Sequence, residues 1–232
     1  MKDILRHITI ATIGAMALVL PVSCSDDDGP AERPATLYDI VEYTGNDKGQ
    51  TSFRLYAPDA DIPVTLTSAS SLDMGKLAEG ECVLLGYTPR DGKAYSSGIV
   101  DVTGFAAVTN GSLMKGPLES LEGWDKDEVY LESLWRAGGY IDMRFQLVYD
   151  NEPRVFRLVV DEATIENEYP DAYLVNIRKG DYDNFMRQYY AAFDVSALWS
   201  YDYVKGLRVH VNNSNNRNLR LFVVEKPSHK DN

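Results

Sequence analysis

The chain has 232 residues, 44% of them hydrophobic and 25% charged, with 35 acidic against 23 basic side chains and a formal net charge of −12. The length suits one large or two small domains, and the acidity, with no Lys/Arg cluster, excludes the basic footprint of a nucleic-acid partner. Of two cysteines and three histidines, the mature, structured chain is expected to keep one thiol and one imidazole, too few for a His/Cys zinc site, and no cofactor-binding motif is present.

Lys2 and Arg6 precede an uncharged run from Ile8 to Val22, the pattern of a secretory signal rather than a membrane span. The run ends in "PVSC", which resembles the bacterial lipobox, with Pro21 where that pattern has Leu. The expectations are a signal peptide over 1–23, a lipid on Cys24 that tethers the chain to the outer membrane, and an acidic tether over 24–35. Ser25, Asp26, Asp27 and Asp28 resemble the surface-export signal of Bacteroidota lipoproteins. That reading places the protein on the cell surface; a solvated acidic linker without an address is the alternative.

From residue 36 the pattern is β. "SFRLYA" alternates Phe53, Leu55 and Ala57 against Arg54 and Tyr56; "IPVTLTS", "CVLLGYT" and "SGIVDVTGFAAV" follow, separated by turns at 45–50, 57–63 and 89–93. About five short strands without a long helix favour a small closed barrel over 36–112. Glycines and a proline then mark a linker over 113–126. In "GYIDMRFQLVY", Ile141, Met143, Phe145, Leu147 and Tyr149 share one face, and Asp142, Arg144 and Gln146 the other. "NEPR" (151–154) reads as a hairpin turn, and "VFRLVV", "AYLVNIR", "RQYYAAFDVS", "LRVHV" and "LRLFVV" complete a β-sandwich over 127–226. A polar tail, 227–232, ends the chain.

The segments "SCSDDD", "GECVLLGYTPRDGKAYSSGIVDVTGF", "GYIDMRFQLVYDNEPRVFRLVVDE", "AAFDVSAL" and "LRVHVNN…NLRLFVVEK" together resemble the NigD-like lipoproteins of Bacteroidota. The resemblance implies an all-β chain: an OB-like barrel followed by an immunoglobulin-like sandwich. It supplies no catalytic residue, and the family's name suggests a link to bacteriocin production or immunity.

No residue set specifies a reaction. With Cys24 lipidated, Cys82 is the one remaining thiol, in the apolar "ECVLLGY", where a buried inert role is expected. His7 falls in the signal and His229 in the tail; His210 falls on the polar face of "LRVHV", where a solvated role is expected. Asp161, Glu162, Glu166, Glu168 and Asp171 crowd one loop, open to readings as a solvated loop, a weak cation site or a hydrolytic carboxylate pair. Arg54, Tyr56, Arg90 and Lys93 are polar handles on the barrel. Fifteen tyrosines and three tryptophans are the most suggestive class. Trp199, Tyr201 and Tyr203 alternate in "LWSYDYVKG", either a binding patch for a glycan or protein, or a cap on the core. The expected function is a non-catalytic, surface-anchored binding or accessory module. The alternatives are a bacteriocin-associated immunity or processing factor, and a hydrolase using the loop carboxylates.

Overall fold

The computed structural model describes residues 35–117, 121, 123–149, 155–177 and 185–228. Cys24, Ser25, Asp26, Asp27 and Asp28, the "NEPR" turn and His229 lie outside the described residues. Within them the chain is all-β. Five strands, β1 (Leu37–Asp47), β2 (Gln50–Leu55), β3 (Val64–Ser68), β4 (Cys82–Pro89) and β5 (Gly98–Ala107), close a barrel in the order β1-β2-β3-β5-β4. Lys48 and Gly49 turn β1 into β2 with φ of 50° and 80°, the double left-handed conformation that suits a tight hairpin. Phe53, Leu55, Leu66, Leu85, Tyr87 and Val100 fill the barrel. The alternation does not mark β1, because both of its faces are covered: Val41 points into the barrel core and Ile40 into a second cluster against the sandwich.

The second part has two sheets. β6 (Thr109–Ser112), β12 (Met186–Asp194), β9 (Tyr140–Val148) and β8 (Tyr130–Ala137) form one, in that order. β14 (Leu221–Glu225), β13 (Gly206–His210), β11 (Asp171–Ile177), β10 (Val155–Asp161) and β7 (Met114–Gly116) form the other. Ile141, Met143, Phe145 and Leu147 point into one core together with Leu158, Leu174, Leu207 and Val209, as the period-2 pattern predicts. Tyr149 instead stacks on Phe185, with ring centroids 4.9 Å apart.

The expected barrel end and linker are drawn differently in the structure. Residues 109–112 pair with β12 in one sheet, and 114–116 pair with β10 in the other. The chain switches sheets at Leu113, whose N–H donates to Asp194 O at 2.9 Å. Gly111 allows the crossing to lie close: a Cβ there would stand 3.1 Å from the Phe193 ring. Trp124, further along the expected linker, rests edge-on against Tyr173 at 5.2 Å, and Asn212 Nδ2 donates to Asp125 O at 2.6 Å.

The barrel sits on the outward face of the four-stranded sheet. Ile40, Cys82, Val108 and Ala192 form a small buried cluster there, with Leu84, Trp135, Tyr140 and Tyr190 around it. Asn110 clips the joint: Cys82 N–H donates to Asn110 Oδ1 at 2.6 Å, and Asn110 Nδ2 returns a bond to Cys82 O at 2.9 Å. Buried Arg136 of β8 reaches the 59–61 loop, donating to the carbonyls of Asp59 and Ala60 and pairing with Asp61 at 2.7 Å. No helix of the described residues is long and apolar enough to cross a membrane.

Candidate functional site

Trp199 does not join Tyr201 and Tyr203. Residues Ser196–Trp199 form the short helix α1, which breaks the alternation and turns Leu198 and Trp199 into the sandwich core. Trp199 is 8% exposed, against 38% for Tyr201 and 42% for Tyr203. The expected three-residue patch is therefore a core tryptophan beside a surface pair of tyrosines. Those two rings stack at 5.4 Å; Lys115 Nζ stands 5.8 Å from the Tyr201 centroid, and Tyr203 Oη donates to Ile165 O at 3.1 Å.

His210 is on the outward face of its sheet but is partnered. Its Nε2 lies 2.7 Å from Asp171 Oδ1, while Arg208 Nη2 donates to Asp171 Oδ2 at 2.6 Å. The imidazole stacks on Tyr173 at 4.4 Å. The carboxylates of the 161–171 segment disperse rather than converge. Asp161 accepts from Ala163 N–H and caps a 3-10 turn, Glu168 pairs with Lys205, and Asp171 turns to β13. Among the described residues, no group of three or more His, Cys, Asp or Glu side chains is arranged to hold a metal ion. On the barrel, Arg54 is paired with Glu42 at 3.1 Å, Arg90 with Asp101 at 2.7 Å, and the Lys93 amide donates to Asp91. Tyr56 packs on Gly138, where a Cβ would fall 2.5 Å from its ring. Cys82 is a buried free thiol, and burial followed by the nearby charge of Asp142 pushes its pKa up.

A cleft of about 290 Å³ opens where barrel meets sandwich. Its origin lies in the register of the four-stranded sheet. Trp135, Asp142 and Ala192 form one row across β8, β9 and β12; Ser133, Arg144 and Tyr190 form the next. The barrel covers the first row and stops short of the second. Tyr38, Ile40, Pro58 and Leu84 form the barrel wall. Three aromatic rings (Tyr38, Trp135 and Tyr190) thus face a space edged by Ser133 and Arg144. Arg144 is held by Glu132 through an Nε–Oε2 pair at 2.5 Å, so its charge is already answered. Tyr38 is 67% exposed, the most open aromatic among the described large hydrophobics. At the barrel mouth beside it, burial raises the Asp39 carboxyl above the usual carboxylate range, against hydrogen bonds from Tyr87 Oη (2.9 Å) and Tyr95 Oη (3.4 Å). In the covered row, Asp142 is 2% exposed and burial pushes its pKa well up; its Oδ1 has no hydrogen-bond partner among the described residues.

The cleft escaped sequence reading because residues 38, 135, 144 and 190 share no spacing; strand register alone brings them together. An apolar space with a few placed polar groups at a domain junction is the usual form of a small-ligand site. Three aromatic walls beside neutralised charges suit a ring with an apolar face and polar edges.

Solved structures share this fold over most of the chain. A protein of unknown function from Bacteroides vulgatus superposes with a TM-score of 0.62 at 12% identity, covering 84% of this chain and 93% of that one. A candidate lipoprotein from Bacteroides fragilis gives 0.56 at 11% identity, covering 84% and 100%. A NigD-like immunity protein from Bacteroides caccae gives 0.52 at 15% identity, covering 82% and 92%. At these identities the likeness is one of fold, and at that level the resemblance to NigD-like proteins holds. No protein-family model and no curated protein matches the chain.

Proposed function

We propose that the chain is a non-catalytic binding or accessory lipoprotein, anchored through Cys24 to the outer membrane and displayed on the cell surface. Its barrel is OB-like and its sandwich immunoglobulin-like. The observation that carries the binding role is the aromatic cleft between them, with Tyr38 open to solvent and Trp135 and Tyr190 behind it. A neutral glycan fits these walls, because the acidic chain repels anionic ligands and Arg144 is already paired. The anchor rests on the "PVSC" and "SDDD" segments, and the lipoprotein reading is supported by the Bacteroides fragilis neighbour.

A glycan array probed with the full chain, alongside an envelope pull-down, tests the binding role. A hit lost in Tyr38→Ala with folding intact supports it. An empty array with one co-purifying protein moves the reading to an accessory subunit. Loss of the protein on protease shaving of whole cells supports surface display; protection until the outer membrane is broken refutes it. A second reading, immunity by protein capture, is favoured by the fold neighbour described as a NigD-like immunity protein. An adjacent gene for a small secreted peptide would favour it over the glycan reading.

A further inference from the structure

β14 is the last strand of the five-stranded sheet, and its only strand partner among the described residues is β13. The register fixes which backbone groups are used. Val211 N–H donates to Arg220 O and Lys226 N–H to Lys205 O, both at 2.8 Å. Counting inward from these pairs along the antiparallel register, Phe222 and Val224 also turn their amides and carbonyls toward β13. Leu221, Val223 and Glu225 therefore turn theirs away from it. The other side of the ladder agrees, since Arg208 N–H and Gly206 N–H bond to Pro170 O and Glu168 O instead of to β14.

These outward groups border a groove of about 840 Å³, whose far wall includes Leu134, Trp135 and Arg136 of β8. One part of its wall is the 59–61 loop, held by Arg136 and by Ser228 Oγ, which donates to Asp61 at 2.9 Å. Edge strands are usually guarded by an inward charge, a proline or a bulge. β14 reads LFVVE, with no proline or lysine and no bulge in its pairing. Leu219, Leu221 and Val223 are 45%, 43% and 57% exposed beside the groove.

We infer that β14 captures an extended peptide segment of a partner protein by strand addition, through the backbone groups of Leu221, Val223 and Glu225. Amides and carbonyls repeated at every second residue, about 7 Å apart, match another β-strand and no compact ligand. Leu221 and Val223 ask for apolar side chains at alternate positions of that segment. At the groove the carboxylates of Asp59, Asp61 and Glu225 are met by Arg136, paired with Asp61, and by Lys226, so it is the chain's net charge of −12 that asks for a neutral or basic segment. The same charge opposes pairing with a second copy. The groove shares Trp135 of β8 with the glycan cleft, but this inference rests on the backbone groups of β14, which the cleft does not include.

The test uses the full chain and a fluorescent synthetic peptide, Lys-Thr-Val-Thr-Val-Thr-Val-Lys, with two isomers N-methylated either on the valines or on the threonines. Anisotropy should show binding of the parent, and one of the two isomers should fail, because only one set of amides faces β14. Amide exchange should slow at Leu221, Val223 and Glu225 and stay unchanged at Phe222 and Val224. Val223→Pro removes an N–H that no strand among the described residues uses, so the edge tolerates it, and peptide affinity should fall about tenfold or more; Val223→Thr should keep binding. Should Val223→Pro misfold, the N-methyl pair decides on the unmodified chain. Failure of the parent to bind, equal binding of both isomers, or self-association through β14 would overturn the inference.

Discussion

Tyr38 lies over Gly86: a Cβ on that glycine would come within 2.9 Å of Tyr38 Cε1 and 2.8 Å of Thr103 Oγ1. The two residues face each other across β1 and β4, so the bare backbone of Gly86 is the floor on which the exposed ring rests. Gly86→Ala should tip the ring out of the cleft. The ring and the Thr103 hydroxyl are both exposed and can swing toward solvent, so the fold should lose less than about 1 kcal/mol. Thermal melts should be nearly superimposable, while any ligand found for the cleft should bind Gly86→Ala about as poorly as Tyr38→Ala. Full affinity in Gly86→Ala would show that the ring's seat does not matter.

Trp199 and Tyr201 separate packing from surface chemistry two residues apart. Trp199 lies in the sandwich core, and truncation to alanine should cost about 3–5 kcal/mol. Tyr201→Ala removes one ring of an exposed stack and should change stability by about 0.5 kcal/mol or less. Urea denaturation of both variants checks this. Equal costs would mean that the tyrosine pair holds the fold as firmly as the tryptophan does.

What was legible in the sequence follows from how many faces of a strand are covered. β9 has one face in the core, so its period-2 pattern identified Ile141, Met143, Phe145 and Leu147 directly. The same pattern assigned Asp142 and Arg144 to a polar face, and the barrel then covers one and leaves the other at the cleft rim. β1 is covered on both faces and shows adjacent buried residues, Ile40 and Val41. β7 is three residues long, too short to carry a period. Trp199, Tyr201 and Tyr203 alternate in sequence, yet one turn of helix sends them to different environments. The cleft draws on five strands from two domains, and no local pattern encodes a register between them.

Arg136 joins barrel to sandwich through its guanidinium, which serves the Asp61 carboxylate and the carbonyls of Asp59 and Ala60. Arg136→Ala strands those acceptors in a partly closed site. The expected cost is about 2–3 kcal/mol, below the range for a fully buried pair because Asp61 keeps access to water. Proteolysis should then cut near residues 59–61 in the variant and spare the parent. Arg136→Lys should recover little, since the three donors of an ammonium radiate from one nitrogen and do not span acceptors that Arg136 meets with two separate nitrogens. A variant with unchanged stability and the same proteolytic pattern would show that apolar contacts alone hold the joint.

Asp142 should make stability depend on pH in the direction opposite to most carboxylates. Burial at the barrel–sandwich joint raises its pKa well above 3.8, so the folded chain keeps this proton over a range where the unfolded chain has lost it. The folded state then binds more protons, and stability falls as pH rises from about 4 through the raised pKa, flattening beyond it. The neighbouring Cys82 and Tyr140 pKa values are also pushed up, first by burial, so both stay neutral across this window. Asp142→Asn keeps the shape and removes the titration. Urea unfolding from about pH 5 to pH 8 should show wild-type stability dropping relative to the variant, with the variant the more stable at the alkaline end. Parallel curves for the two proteins would mean that water or a neighbouring group reaches the Asp142 carboxyl and that the joint carries no buried proton.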